Sequence, residues 1–152
     1  MNPALETVFG PPSQSGFGSA VFSEQVDQAQ DLEAAAQRCY RHFLGKQWEQ
    51  FGEAAWMASW RRVYLREPGG SRSTVAELRA IADPETRLSV NVLLDGHENP
   101  GAAIQALSTA YDDAAMENLE VYTLGDGAAL SGVLIAGRTR GGAATFLVFL
   151  MD

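Results

Sequence analysis

The spacing of apolar positions changes midway along the chain, from a helical period in the first half to an alternating period in the second. Between Val26 and Phe43 apolar residues recur every three or four positions, which is typical of an amphipathic helix. Ser23 is a suitable N-cap for such a helix, and Gly45 is a suitable stop. The pattern therefore predicts a first long helix over about 24–43.

A second helix is predicted over about 46–66, and it carries all three tryptophans of the chain. At about 100° per residue its aromatic side chains spread over an arc of roughly 220°, whereas a core-facing stripe is nearer ~100° wide. The aromatic side chains that fall outside a core-facing stripe have three explanations: they are covered by this chain itself, they contact a partner protein, or they line a small-molecule pocket. Tryptophan, tyrosine and arginine are enriched among the residues that dominate interface energies. The candidates for partner binding on this segment are Trp56, Trp60, Arg61 and Tyr64.

The remaining elements follow from capping and alternation. Thr-Val-Ala-Glu at 74–77 matches a capping box and predicts a short helix, which Asp83-Pro84 ends. Apolar and polar residues alternate over 87–94, which predicts a strand. Asn99, followed by a proline, predicts the start of another helix. Three further strands are predicted at about 119–124, 129–138 and 143–151, separated by glycine-containing turns.

These elements predict an α+β fold, in which a helical N-terminal half packs on one face of a mainly antiparallel sheet of about four to five strands. The C-terminal half has the predicted order β-α-β-β-β. Its last strand is apolar on both faces, which predicts a central, covered position. Residues 1–22 mix phenylalanine with glycine and proline, so we expect an irregular arm with a short strand at its end. A single domain is expected over 23–152.

Composition narrows the class of protein. The 152 residues are 46% apolar and 20% charged, which excludes a mainly disordered chain. No apolar run reaches the ~18–20 residues of a membrane span, and the N-terminus does not resemble a secretory signal. The single Cys39 has no second cysteine with which to form an internal disulfide. We therefore expect a cytoplasmic protein with no membrane partner, and the ten-to-one excess of arginine over lysine is typical of a GC-rich bacterial genome.

Charge is distributed unevenly along a chain whose formal net charge is −8. Residues 38–87 carry a net +3, whereas residues 88–137 carry seven acids and no base. Because nucleic-acid binding needs clustered positive charge, we expect no nucleic-acid partner. The helix predicted after Asn99 carries three acids in its C-terminal part and a fourth just beyond it, where acids oppose the helix dipole and no base lies nearby in sequence. The candidates for contact with a basic partner are Asp112, Asp113, Glu117 and Glu120.

Residues with catalytic or metal-binding chemistry are few. Cys39 and His42 share one side of a predicted helix, but Cys39 adjoins the apolar stripe, so packing is the favoured interpretation. Asp95, His97 and Glu98 share a loop whose carboxylates and imidazole could hold a cation, although turn formation is the simpler explanation. We expect no catalytic residue, no metal site and no cofactor.

Two function classes remain. The favoured one is a cytoplasmic, non-enzymatic protein-binding domain — an adaptor, a chaperone or an acidic toxin-neutralising protein — that contacts another protein or a second copy of itself. The alternative is a small-molecule-binding domain or small enzyme, whose layout is similar in element order alone to nuclear-transport-factor-2-like domains. An enclosed apolar cavity of at least ~300 Å³ would favour this alternative. The expected walls are Tyr40, Trp56, Trp60 or Tyr122, with Asp95 or His97 as the polar group.

Overall fold

The computed structural model describes residues 3–67, 69 and 72–152. Residues 1 and 2, which belong to the predicted N-terminal arm, lie outside the described residues. Within the described ranges, no helix is both long and apolar enough to span a bilayer. The helices are α1 (Pro3–Phe9), α2 (Leu32–Leu44), α3 (Lys46–Phe51), α4 (Glu53–Trp56), α5 (Thr74–Arg79), α6 (Pro84–Leu94) and α7 (Pro100–Tyr111). The strands are β1 (Gly18–Gln25), β2 (Arg61–Leu65), β3 (Met116–Gly125), β4 (Ser131–Thr139) and β5 (Ala143–Met151).

The strands form a five-stranded sheet with the order β1-β5-β4-β3-β2, and each neighbouring pair is antiparallel. This confirms the α+β class and the predicted antiparallel sheet. β3, β4 and β5 are neighbours in both sequence and space, because short turns connect them as hairpins. β1 pairs with residues 143–150 of β5 and forms one edge, and the short β2 forms the other edge.

Helices cover both faces of the sheet, not one face as predicted. Apolar residues of α2, α3 and α4 share a core with Phe146 and Val148 on one face, here called the α2 face. Residues of α1, α5, α6 and α7 share a second core with Val121 and Leu147 on the opposite face, the α7 face. The physical reason is that the central strands are apolar on both sides, so a single layer of helices would leave a continuous apolar surface in water.

β5 is covered on both faces, as its composition predicts. Phe146, Val148 and Leu150 are buried on the α2 face, and Leu147 is buried on the α7 face. Phe149 also lies on the α7 face but is only half-buried. β5 is an internal strand next to β4, and β4 holds the middle of the sheet.

The predicted strand over 87–94 is wrong, because these residues belong to α6. Val90 faces the core, whereas Leu88 is 60% exposed, although strict alternation placed both on one side. The side chain of Asp83 accepts a hydrogen bond from the backbone N–H of Thr86 at 3.0 Å, so it caps α6 instead of ending α5. The rest of the predicted order, α7 followed by β3, β4 and β5, is confirmed.

The predicted helix over 46–66 is divided into α3, α4 and the edge strand β2. Gly52 has a φ of 87° and a ψ of 152°, a conformation that ends α3 and that glycine adopts without steric cost. The following Arg-Arg-Val-Tyr-Leu pairs with β3, since β-branched and aromatic residues fit a half-buried sheet surface. The aromatic arc of one continuous helix therefore does not exist in the folded chain.

The first long helix begins at Leu32, later than predicted. Ser23 lies in β1 opposite Thr145, and the helix is capped by Asp31, whose carboxylate accepts a hydrogen bond from the backbone of Glu33 at 3.0 Å. The predicted stop at the end of α2 is confirmed, since Gly45 is its C-cap. The first residues of the predicted helix therefore belong to β1, where they pair with β5.

The segment predicted as an irregular arm contains α1 and most of β1. Leu5 and Phe9 of α1 are buried in the core of the α7 face. The backbone N–H of Val21 donates to the carbonyl of Gly10 at 3.0 Å, which ties the connection to the edge of β1. This part of the chain is therefore docked on the body of the fold.

Candidate functional site

The tryptophans of the predicted second helix pack against this chain itself. Trp56 is buried, and its indole N–H donates to the backbone carbonyl of Gln47 at 2.8 Å. Trp60 stacks between Tyr40 and Tyr122, with ring centroids 5.7 and 4.8 Å away. Because these rings are in contact with one another, they leave no space between them for a ligand. Cover by the same chain therefore accounts for much of the aromatic surplus.

Acidic side chains bind the polar atoms of this stack. The indole N–H of Trp60 donates to Glu33 at 2.8 Å, and the hydroxyl of Tyr122 donates to Glu120 at 3.0 Å. Burial, together with the nearby charge of Glu120, raises the pKa of Tyr122, so this phenol stays neutral. Arg62 completes the group by pairing with Glu120 at 3.0 Å. One of the acids predicted to meet a basic partner is thus paired within the chain.

α7 ends at Tyr111, so the predicted acids lie beyond the helix and not within it, Asp112 as its C-cap and Glu117 on β3. Like Glu120, the other three acids have partners within the chain. Asp112 accepts hydrogen bonds from the backbone N–H and the hydroxyl of Thr74, and Asp113 accepts one from the backbone two residues later. Glu117 pairs with Arg140 at 3.0 Å. Asp112 and Glu120 bond to groups on opposite faces of the sheet, so the four acids do not form one surface.

Arg61 and Tyr64 lie on the edge strand β2. Arg61 is exposed and forms an ion pair with Asp83, which links β2 to the start of α6. Tyr64 packs on the α7 face, whereas Trp60 packs on the α2 face. Burial and a hydrogen bond to Glu77 raise the pKa of Tyr64 to about 12. The predicted Trp60, Arg61 and Tyr64 surface is therefore divided by the sheet.

A buried ion pair, which no pattern in the sequence predicted, joins Arg66, the residue after β2, to Glu77 of α5. Arg66 is 5% exposed and Glu77 is 4% exposed, and Nη2 of Arg66 lies 2.6 Å from Oε1 of Glu77. Arg66 also donates to the hydroxyl of Thr74 at 3.0 Å and to the carbonyl of Tyr111 at 2.9 Å. The residues assigned to a capping box thus serve this network instead. The charge pattern along the chain does not predict this ion pair, because the spacing of the two residues does not show that α5 folds against β2.

Cys39 is a packing residue in this structure. It is 5% exposed, and burial, with a smaller contribution from Glu24, raises the pKa of its thiol from 9.0 to about 12. Reactive cysteines have a lowered pKa and are accessible, so this thiol has neither property of a nucleophile. The neighbouring His42 packs edge-on against Phe22, with ring centroids 5.8 Å apart.

Asp95 and His97 do not lie beside the aromatic stack. Asp95 is exposed and pairs with Arg79 at 3.1 Å. His97 packs edge-on against Phe9, which belongs to the core of the α7 face. These two residues therefore cannot serve a pocket walled by Tyr40 and its neighbours on the α2 face. Across the part of the chain that the structure describes, no group of three potential metal ligands is placed to hold an ion.

An open groove, which was not among the surfaces predicted from the sequence, lies along the C-terminal half of α2. Gly45, with a φ of 57°, turns the chain between α2 and α3, so that the two helices border a volume of about 820 Å³. Gln14 from the N-terminal segment forms part of another wall. A depression of about 350 Å³ continues the groove toward β1, and the two volumes share Arg38 and His42. We call this combined feature the α2 groove.

Basic side chains and apolar surface meet in the α2 groove. The guanidinium of Arg41 lies 5.4 Å from the ring centroid of Trp48, within the range of a cation–π contact. Trp48, which is 9% exposed, supplies apolar surface to the main volume. The signal that could have found this site is the stretch from residue 34 to residue 48, which has bases but no acid. The exposed basic side chains of the groove are Arg38, Arg41, His42 and Lys46.

The α2 groove is thus open, cationic and partly aromatic, whereas the surfaces predicted from the sequence are mostly occupied by contacts within the chain. Aromatic residues and arginine are enriched at protein interfaces, and charge at the rim is typical of them. The chain matches no protein-family model, and no curated protein or solved structure shows significant similarity to it.

Proposed function

We propose that this chain is a non-enzymatic, cytoplasmic protein-binding domain. The observation that carries the proposal is the α2 groove, which is open to solvent and brings arginine together with tryptophan. These residue types contribute disproportionately to binding energy when a partner covers them. A partner segment in the groove would shield the contact between Arg41 and Trp48 from water and so strengthen it.

A small-molecule-binding domain is the weaker candidate. Ligand pockets usually bury most of the surface of a small molecule, whereas the α2 groove is open along its length. The rings expected to wall an aromatic pocket are instead in contact, with centroids of Trp60 and Tyr122 only 4.8 Å apart. The polar groups expected to serve that pocket lie at other places in the fold.

The aromatic and acidic surfaces predicted from the sequence contribute less to the proposed interface than the α2 groove does. Asp113 and Arg61 are exposed and remain available at the rim of an interface. Asp112, Asp113 and Glu117 have partners within the chain, so their charge no longer argues for a basic partner. We therefore place the main contact at the α2 groove and treat those surfaces as additional contacts.

The test is capture of partners by chemical cross-linking in the native host, followed by direct binding with both proteins purified. Sedimentation velocity of the purified chain tests self-association in parallel. We expect a saturable complex with one protein or with a second copy of this chain. If the chain stays monomeric, binds no purified candidate, and a metabolite screen finds a small molecule that raises its melting temperature, the small-molecule function replaces this proposal.

A further inference from the structure

We propose that the α2 groove binds an acidic peptide segment that carries one apolar anchor residue. This inference rests on the proposed protein-binding function and names the chemistry of the partner. Three properties of the groove support this proposal. Its charge is opposite in sign to that of the whole chain, its bases have free hydrogen-bond donors, and apolar surface lies between them.

The charge of the groove is opposite to that of the molecule. Its lining carries three bases, Arg38, Arg41 and Lys46, against two acids, Glu24 and Glu49, a formal +1 in a protein of net charge −8. A chain with this overall charge repels acidic partners at most of its surface. A local positive groove therefore selects where an acidic segment can bind, since complementary charge steers encounter and fixes register.

The bases of the groove have side-chain groups free to meet carboxylates. The side chain of Arg38 is 62% exposed and uses Nη2 for a bond of 3.1 Å to Glu24, which leaves further N–H donors of its five. The guanidinium carbon of Arg41 lies over the Trp48 ring, 5.4 Å from its centre, and the exposed side chain keeps N–H donors for a ligand. Arginine binds carboxylates with two parallel hydrogen bonds, so these side chains suit aspartate or glutamate.

Apolar surface between the bases provides the place for an anchor. Trp48 and Phe22 are each 9% exposed, one in the main volume and one in the depression toward β1. Arg38 and His42 border both volumes, and they lie one turn apart on α2, a rise of about 6 Å. An extended segment can therefore place one apolar side chain between carboxylates that meet the bases on either side.

An acidic segment fits the groove better than other anions. The C-terminal end of α2 carries negative dipole charge, which opposes any anion there, so an acidic ligand needs several contacts with the bases in order to bind. Nucleic acid would bring a continuous line of phosphates past Glu24 and Glu49, which border the groove. A peptide can avoid these carboxylates by placing neutral residues opposite them.

The experiment uses the full chain labelled with ¹⁵N and a panel of ten-residue peptides. Each peptide pairs three or four aspartates or glutamates with one leucine or phenylalanine. Matched peptides replace the acids by their amides or the anchor by alanine, and citrate and inorganic phosphate are titrated as free anions. Binding is measured by fluorescence anisotropy at 50 and 300 mM NaCl. Backbone and indole shifts, assigned with the Trp48→Phe variant, locate the site.

We expect acidic, anchored peptides to shift the signals of Arg41, Lys46 and the Trp48 indole, and to bind less tightly at the higher salt concentration. Arg41→Glu and Lys46→Glu should each weaken binding by about tenfold, because each exchanges an attraction for a repulsion. Arg87→Glu makes the same change in net charge on an exposed part of α6 and should leave binding unchanged. Arg41→Gln and Lys46→Gln provide milder variants if a reversal disturbs folding.

The inference is overturned if acidic peptides do not bind, if amide peptides bind equally well, or if the shifts lie outside the groove. Equal weakening by Arg87→Glu and Arg41→Glu would show an effect of overall charge and would also overturn it. If citrate or phosphate binds and the peptides do not, the ligand of the groove is a free anion and not a peptide. If a purified natural partner binds Arg41→Glu and Lys46→Glu as tightly as wild type, the protein-binding function stands and only this assignment of the groove fails.

Discussion

The buried pair of Arg66 and Glu77 allows a quantitative test of how this fold is held together. Arg66→Met would leave the Glu77 carboxylate buried without its cationic partner, and Glu77→Leu would leave the guanidinium buried without its anion. Removing one partner of a buried ion pair costs about 3–5 kcal/mol. A domain of ordinary stability has only about 5–15 kcal/mol in total, so each single variant should be close to unfolding.

The double variant should be far more stable than the two single variants imply. With both charges removed, the hydroxyl of Thr74 still donates to Asp112, and half-buried Tyr64 can use water. The carbonyl of Tyr111 loses the Arg66 donor in a buried position, which costs about 1–3 kcal/mol. Each single variant should lose ~3–5 kcal/mol of unfolding free energy, and the double variant should lose only ~1–3 kcal/mol. The sum of the two single losses therefore exceeds the double loss by at least ~3 kcal/mol, which is the coupling energy of the pair.

Guanidinium denaturation, followed by tryptophan fluorescence and circular dichroism, measures this cycle. The exposed pair of Arg38 and Glu24 is the matched control, and its coupling should be below about 1 kcal/mol. If a single variant does not fold at 25 °C, recovery of a cooperative transition in the double variant gives the same answer. A double variant whose loss equals the sum of the single losses would refute the reasoning, because the two charges would then be independent.

The remaining predictions concern the thiol, alkaline pH and β5. Cys39 should react slowly with a thiol reagent at pH 7 and fully after denaturation, because burial raises its pKa to about 12; rapid stoichiometric reaction of the native chain would contradict this. The free energy of unfolding in urea should fall as pH rises from 9 toward 12, because the unfolded Cys39 thiol loses its proton above 9.0 while the folded one keeps it. Cys39→Ala should make this fall with pH shallower. If the variant loses stability with pH as steeply as wild type, the thiol is excluded as a cause. Phe146→Ala should cost about 3–5 kcal/mol in equilibrium denaturation, and Phe149→Ala should cost less because Phe149 is half-buried; equal losses would mean that the two faces of β5 are equally covered.

Elements with strong local signals were predictable from the sequence. The helix after Asn99 is confirmed, because the asparagine side chain accepts a hydrogen bond from the backbone of Ala102 at 3.2 Å and proline follows the cap. The last three strands are confirmed because glycine turns fix hairpins locally and alternation of side chains fixes their faces. The apolar composition of β5 likewise showed that both of its faces are covered.

The candidate site was only partly predictable. Trp60 and the acids near the end of α7 were recognised as unusual, but most of their contacts are with distant parts of this chain, such as Glu33 and Arg140. The bases of the α2 groove stand close together in sequence, and their stretch without acids was visible. That they border an open volume depends on the turn at Gly45 and on the approach of Gln14.

The sequence by itself determined the α+β class, the C-terminal hairpins and the caps at Gly45 and Asn99, because each of these local features depends on residues within a few positions of one another. Only the tertiary structure decided which apolar segments became strands. Residues 87–94 alternate like a strand but form a helix, and residues 61–65 follow a helical stretch but pair with β3. The free energy that separates such alternatives comes from burial and from hydrogen bonds with distant segments, and a local period does not contain these contributions.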